Sequence, residues 1–164
     1  MNQNLNRVCG DCKLCCKVFS IQELDKPAGK WCPHCPGKGC KIYDTRPEEC
    51  RGYKCMWLAG AFPEECRPDK VYVVFGFKRL DDLIVATVGE SHYGAALSTE
   101  VQSIIASFRA LGYGVQIIHN GICHELIPPY YESDADVIAY FQKFFVAHGN
   151  PEMADDFISR FIGS

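Results

Sequence analysis

The stretch Cys9-Gly10-Asp11-Cys12-Lys13-Leu14-Cys15-Cys16 concentrates more metal-binding chemistry than any other eight residues of the chain. Three of its cysteines are separated by two residues each, and a fourth follows directly. C-x2-C spacing allows a tight turn to bring two thiolates onto one metal ion. The adjacent pair is a different case. Neighbouring side chains diverge, so Cys15 and Cys16 point to two adjacent metals, or to one ligand and one thiol held behind it.

A second group follows in Trp31-Cys32-Pro33-His34-Cys35-Pro36-Gly37-Lys38-Gly39-Cys40. Its prolines and glycines oppose regular structure and favour loop backbone. Loop N–H groups are free to hydrogen-bond to sulfur. Cys32 and Cys35 repeat the C-x2-C spacing, and Cys50 and Cys55 complete the set. The candidate metal ligands are therefore Cys9, Cys12, Cys15, Cys16, Cys32, Cys35, Cys40, Cys50 and Cys55. Nine thiols fill two four-ligand sites with one left over, or one site with further thiols around it. Zinc would give a closed structural site. The triple C-x2-C-x2-C run also opens the bacterial ferredoxin pattern, which holds an iron–sulfur cluster and ends in a remote Cys-Pro. Zinc or iron, in one or two sites, is the cofactor expected.

The other candidates carry less. Pro63-Glu64-Glu65-Cys66-Arg67 echoes Pro47-Glu48-Glu49-Cys50-Arg51. The echo reads as chance, and Cys66 is not expected to ligate. His34 is expected to face solvent and Cys123 to sit in the core. His92, His119, His124 and His148 have no metal-ligand spacing. The pairs Phe144-Phe145 and Tyr130-Tyr131 read as packing against a sheet.

Composition supports metal over disulfides. The chain has 164 residues and eleven cysteines, and its polar start, Met1 to Arg7, lacks the apolar stretch of a secretory signal. A cytoplasmic protein is expected, and in a reducing compartment cysteine clusters bind metal more often than they pair. No apolar run reaches the length of a membrane span. Residues 1–56 carry ten Lys and Arg against six Asp and Glu, whereas residues 57–164 carry seven against fourteen. The basic excess offsets thiolate charge, and Lys13, Lys17, Lys41, Arg51 and Lys54 stand beside cysteines. Nucleic acid is not expected, because no aromatic-plus-basic motif accompanies the charge.

Elements that would position these residues follow from periodicity. Val18 to Ile21 reads as a short strand and Asp25 to Lys30 as a turn. Thr45 is placed to cap a short helix carrying Cys50, with Pro47 in its first turn. Val71 to Phe77 and Leu83 to Val88 read as a hairpin turning through Lys78 to Asp82. Gly89 to Leu97 is a loop. Ser98 caps a helix to about Leu111. Val115 to His119 and Ile122 to Ile127 flank Asn120-Gly121, a strong hairpin signal. Ser133 caps a helix to Ala147, and Asn150-Pro151 opens a last one ending near Ile162. The fold class expected is α+β: an irregular, metal-stapled Cys-rich lobe at residues 1–66, packed on residues 67–164 as a small, mainly antiparallel sheet of about four strands with helices.

The cysteine run together with Gly39-Cys40-Lys41-Ile42-Tyr43-x2-Arg46-Pro47-x2-Cys50-Arg51-x-Tyr53-x-Cys55 resembles the CxxCxxCC family of zinc- or iron-chelating domains, also called cysteine-cluster proteins. The resemblance covers roughly the first third of the chain. It implies metal ligation by Cys9, Cys12, Cys15, Cys16, Cys40, Cys50 and Cys55, with Cys32 and Cys35 as additions of a subgroup. Flagellin lysine N-methylases share a similar cysteine signature but are much longer, and Val88 to Gly94 reads as a plain loop rather than a cofactor motif, so methyl transfer is not carried over. Three functions are expected in turn. The first is a metal-binding protein with a structural role or an unknown protein partner. The second is an iron-dependent metalloenzyme or redox protein whose α+β layer closes a pocket. The third is metal storage or delivery.

Overall fold

The computed structural model describes residues 7–162; the polar start from Met1 to Asn6 lies outside the described residues. Its frame is a four-stranded sheet in the order β1-β2-β3-β4, with β1 at Val73–Leu80, β2 at Leu83–Glu90, β3 at Gly114–His119 and β4 at Ile122–Ile127. The first pair is an antiparallel hairpin turning on Asp81-Asp82, where Asp81 takes a left-handed φ of 49°. The strands run further than their apolar alternation shows. Phe77 to Arg79 lie at an exposed edge yet stay paired with Ala86 to Ile84. Asn120 and Gly121, both at positive φ, turn the second hairpin.

The fold is α+β, as expected, but the sheet is mixed. β2 and β3 run parallel, with Val85 opposite Gly114 and Glu90 opposite His119. The cause lies between them. Helix α4, Thr99–Ala110, carries the chain back across the sheet, and such a crossover returns the next strand in the same direction. The Ser98 hydroxyl caps α4 by accepting from Val101 N–H, and Ser133 caps α5, Asp134–Ala147, in the same way from Asp136.

Each face of the sheet has its own core. On one face Val73, Phe75, Ala86, Val88, Val115 and Ile117 meet Val101, Ile104, Ile105 and Phe108 of α4. On the other, Leu80, Val85 and Leu126 meet Tyr140, Phe141, Phe144 and Phe145 of α5, with Ala154 of α6, Ala154–Ile162. Val74 opens onto this second face and packs instead against Leu14 and Val18. Its register partner is Gly89. A Cβ at Gly89 would lie 2.6 Å from Val18 Cγ1, so the missing side chain makes the seat on which the Cys-rich residues rest. Met56 N–H adds a hydrogen bond to the Phe75 carbonyl at 3.1 Å.

Several local expectations change. Val18 to Ile21 is not a strand: Val18 N–H bonds back to the Leu14 carbonyl and so belongs to α1, Cys15–Val18, which ends as Phe19 turns extended, and only Ile21 bridges to Lys26. Thr45 does not cap. It closes a 3-10 turn at Tyr43–Thr45, and the helix α2, Glu48–Gly52, starts after Pro47, whose carbonyl accepts from Cys50 and Arg51. Val71 belongs to the short helix α3, Pro68–Val71. Tyr130 and Tyr131 are exposed rather than packed into the core; the Arg109 guanidinium lies over Tyr130 at 4.1 Å.

Candidate metal centre

Short turns deliver the cysteines. Cys12 N–H bonds to the Cys9 carbonyl at 2.9 Å, which closes the first C-x2-C turn, and α1 then presents Cys15 and Cys16 on its opening residues. The second C-x2-C turn closes in the same way, from Cys35 N–H to the Cys32 carbonyl at 3.0 Å. Cys32 N–H binds the Cys16 carbonyl at 3.1 Å, so the second turn is pinned to the first helix. Helix α2 carries Cys50. Cys55 follows it, and its sulfur accepts from Leu58 N–H at 3.5 Å.

All nine candidate cysteines line one cavity of about 370 Å³. Between them the wall is mainly apolar, with Phe19, Ile21, Leu24 and Ile42 among its residues. Two packing clusters share it. Cys12, Cys15 and Cys55 surround Leu14, Val18 and Val74, while Cys16, Cys40 and Cys50 surround Ile21, Cys32 and Cys35. Among the described residues, no three Cys, His, Asp or Glu side chains converge closely enough to hold one metal ion as they stand. Ligation therefore requires the thiols to rotate inward from the cavity wall.

The electrostatics show what these thiols lack. Burial pushes the Cys9, Cys12, Cys35 and Cys50 thiols up, and neighbouring thiolates add to the rise for Cys9, Cys35 and Cys50. Cys16 is raised first by its hydrogen bond with Cys15 and then by burial. Thiolates crowded in an apolar wall repel one another, and a bound cation reverses that balance. The donor set itself is soft: nine sulfurs against one lining carboxylate, Glu49. Thiolate ligands select zinc, iron–sulfur clusters and copper(I) over hard cations.

Of the cations that chain adjacency suggests, only Lys13 lines the cavity. Lys41, Arg51 and Lys54 are exposed, and Arg51 pairs with Glu48 at 2.7 Å. Lys26 is buried instead, donating to the carbonyls of Lys17 and Phe19. Burial lowers its ammonium, and the charges of Cys16, Cys32, Cys15 and Cys50 act to hold it up. Arg46 lines the cavity with its guanidinium 3.7 Å from the Tyr43 ring centre, and its buried Nε has no hydrogen-bond partner. Lys13 also lines the cavity and donates to the Cys35 carbonyl at 3.3 Å. Tyr53 adds a buried hydroxyl without a partner. The sequence signal for Arg46 and Tyr53 was their place inside the cysteine motif rather than beside a cysteine.

Other expected positions separate cleanly. His34 is outside the cavity lining; its carbonyl accepts from Lys41 N–H at 2.9 Å. Cys66 is buried in the core beneath α4. Its turn does repeat that of Cys50, with Cys66 N–H bonded to the Pro63 carbonyl at 3.2 Å where Cys50 N–H is bonded to Pro47 at 3.0 Å. The echo is thus a shared turn, used once at the cavity and once in the core. Cys123 is exposed rather than in the core, because its strand β4 shows that face to solvent. His124 pairs at 2.9 Å with Glu90, which is 2% exposed and also accepts from Ala96 N–H at 2.7 Å, a pair that ties β4 to β2 across β3.

No family model, curated protein or solved structure matches this chain. No helix among the described residues is long and apolar enough to cross a membrane.

Proposed function

We propose that this is a metal-binding protein whose nine-cysteine cavity holds zinc or iron through thiolate ligands, as the resemblance to the CxxCxxCC family implies. One observation carries the reading: five separate pieces of chain, residues 9–16, 32–35, 40, 50 and 55, bring every candidate cysteine and no other onto a single cavity. Core cysteines have no reason to converge in this way, as Cys66 shows. The residues around the cavity form little regular structure of their own, and metal ligation would hold them in place. The cysteine-rich composition fits a reducing compartment, so the cytoplasm is the proposed location.

A second reading draws on the cavity's shape. Its volume of about 370 Å³ and largely apolar wall resemble a small-molecule pocket more than the tight shell of a structural zinc. In that reading iron in the cavity is reactive, and the protein is a metalloenzyme or a redox protein.

Elemental analysis of untagged protein purified without oxygen, with a visible spectrum of the same sample, tests both. Zinc in a colourless protein supports the structural role. Iron with acid-labile sulfide and charge-transfer absorbance supports the second reading. Protein that neither retains nor takes up zinc or iron overturns the metal assignment.

A further inference from the structure

We infer that the nine cysteines divide into two adjacent metal centres, one held by Cys9, Cys12, Cys15 and Cys55, the other drawn from Cys16, Cys32, Cys35, Cys40 and Cys50. The inference rests on the metal-binding reading above.

The division begins at α1. Successive residues on a helix point about 100° apart. Cys15 and Cys16 therefore leave α1 on different sides, and the packing follows. Cys15 joins Cys12 and Cys55 over Leu14, Val18 and Val74, next to the sheet. Cys16 joins Cys40 and Cys50 around Ile21, Cys32 and Cys35, away from it. Backbone contacts reinforce each side. The Cys9–Cys12 turn holds two members of the first set. The Cys32–Cys35 turn is bonded to Cys16 through the Cys32 N–H, and Cys16 packs in one cluster with Cys35.

The two sets differ in number. Four thiolates are a complete tetrahedral shell for one zinc. Five are one more than such a shell needs, so the second centre tolerates the loss of a single thiol and the first does not. Cys15 and Cys16 are consecutive on α1 and both line the cavity, which makes the two centres neighbours.

The test counts metal in the full chain, purified without oxygen and loaded with zinc alone, with cobalt substitution as a spectroscopic check on thiolate ligation. The wild-type chain is expected to hold two ions. The double variants Cys9→Ser/Cys12→Ser and Cys32→Ser/Cys50→Ser are each expected to lose one, and the four-fold variant both. The single variants sharpen the division without disturbing the fold as far: Cys12→Ser drops to one ion, while Cys32→Ser keeps two. Saturation of the wild type at one ion, or loss of all metal in either double variant, overturns the division but leaves metal binding standing. Absence of zinc from the wild type overturns the metal reading itself.

Discussion

Phe75 and Cys35 are both buried, yet by different means. Phe75 belongs to an eight-residue strand whose amides are paired along its length, and its ring packs edge-on to Phe62 and Phe108. Cys35 lies in a proline–glycine loop, covered by Ile21 and other cysteines. The longest regular element from Cys9 to Cys55 is the five-residue α2, whereas α5 alone has fourteen. Alternating apolar residues bury the faces of the sheet against α4 and α5. The Cys-rich half buries sulfur against sulfur, and burial first, then repulsion between neighbouring thiolates, pushes the Cys35 thiol up, a balance that a bound cation would offset. The two halves therefore differ in what can take them apart.

Metal removal should separate them most. Structural zinc sites contribute on the order of 10 kcal/mol or more to the folding of small zinc domains. Chelation of the metal-loaded protein is expected to abolish amide-exchange protection across residues 9–55 while β1, β2 and β3 stay protected. Exchange that rises equally in both halves would show that they are one cooperative unit. Unchanged exchange would show that metal does not hold the Cys-rich half.

The junction between the halves should respond less, but still clearly. Gly89→Ala places a methyl group 2.6 Å from Val18 Cγ1, so α1 must shift from its seat. Overpacking of this kind costs about 1–3 kcal/mol. Gly52→Ala is the control, because no atom lies within 4 Å of a Cβ there. The urea midpoint is expected to fall for Gly89→Ala and not for Gly52→Ala. Equal midpoints would mean that α1 does not rest on Val74 and Gly89 as described.

How far each half was legible depended on the kind of signal it carries. Helices α4 and α5 were read with their caps, because Ser98 and Ser133 stand directly before apolar residues at helical spacing. Asn120-Gly121 marked its hairpin. The parallel pairing of β2 with β3 was not legible, since it depends on where α4 crosses the sheet and not on either strand's pattern. The nine cysteines that line the cavity were named from their spacing together with the family resemblance. Its surroundings were not. Lys41, Arg51 and Lys54 stand next to cysteines in the chain but point to solvent, whereas Lys26 reaches the buried side through a left-handed turn at Asp25. Cys123 was read as core because an apolar strand has two faces and nothing local says which is covered. Val18 to Ile21 looked like a strand because β-branched residues suit one, but the Leu14–Val18 contact on α1 prevailed.

Cys66 gives the finest division between the halves. It shares with Cys50 the run Pro-Glu-Glu-Cys-Arg and the bond from the Cys N–H to the Pro carbonyl, although Cys50 lies within α2 and Cys66 ends a 3-10 turn. Cys50 faces sulfur, and Cys66 faces Val73, Phe75 and the apolar side of α4. A buried free cysteine behaves as a small hydrophobe. Cys66→Ala should therefore lower stability by about 1 kcal/mol, in line with an average point substitution, and leave the metal content at the wild-type value. Calorimetry and elemental analysis on one preparation read both quantities. A loss of metal with Cys66→Ala would mean that the sulfur cavity and the apolar core are not held separately, because the one cysteine placed wholly in the core would then be setting the occupancy of the other half.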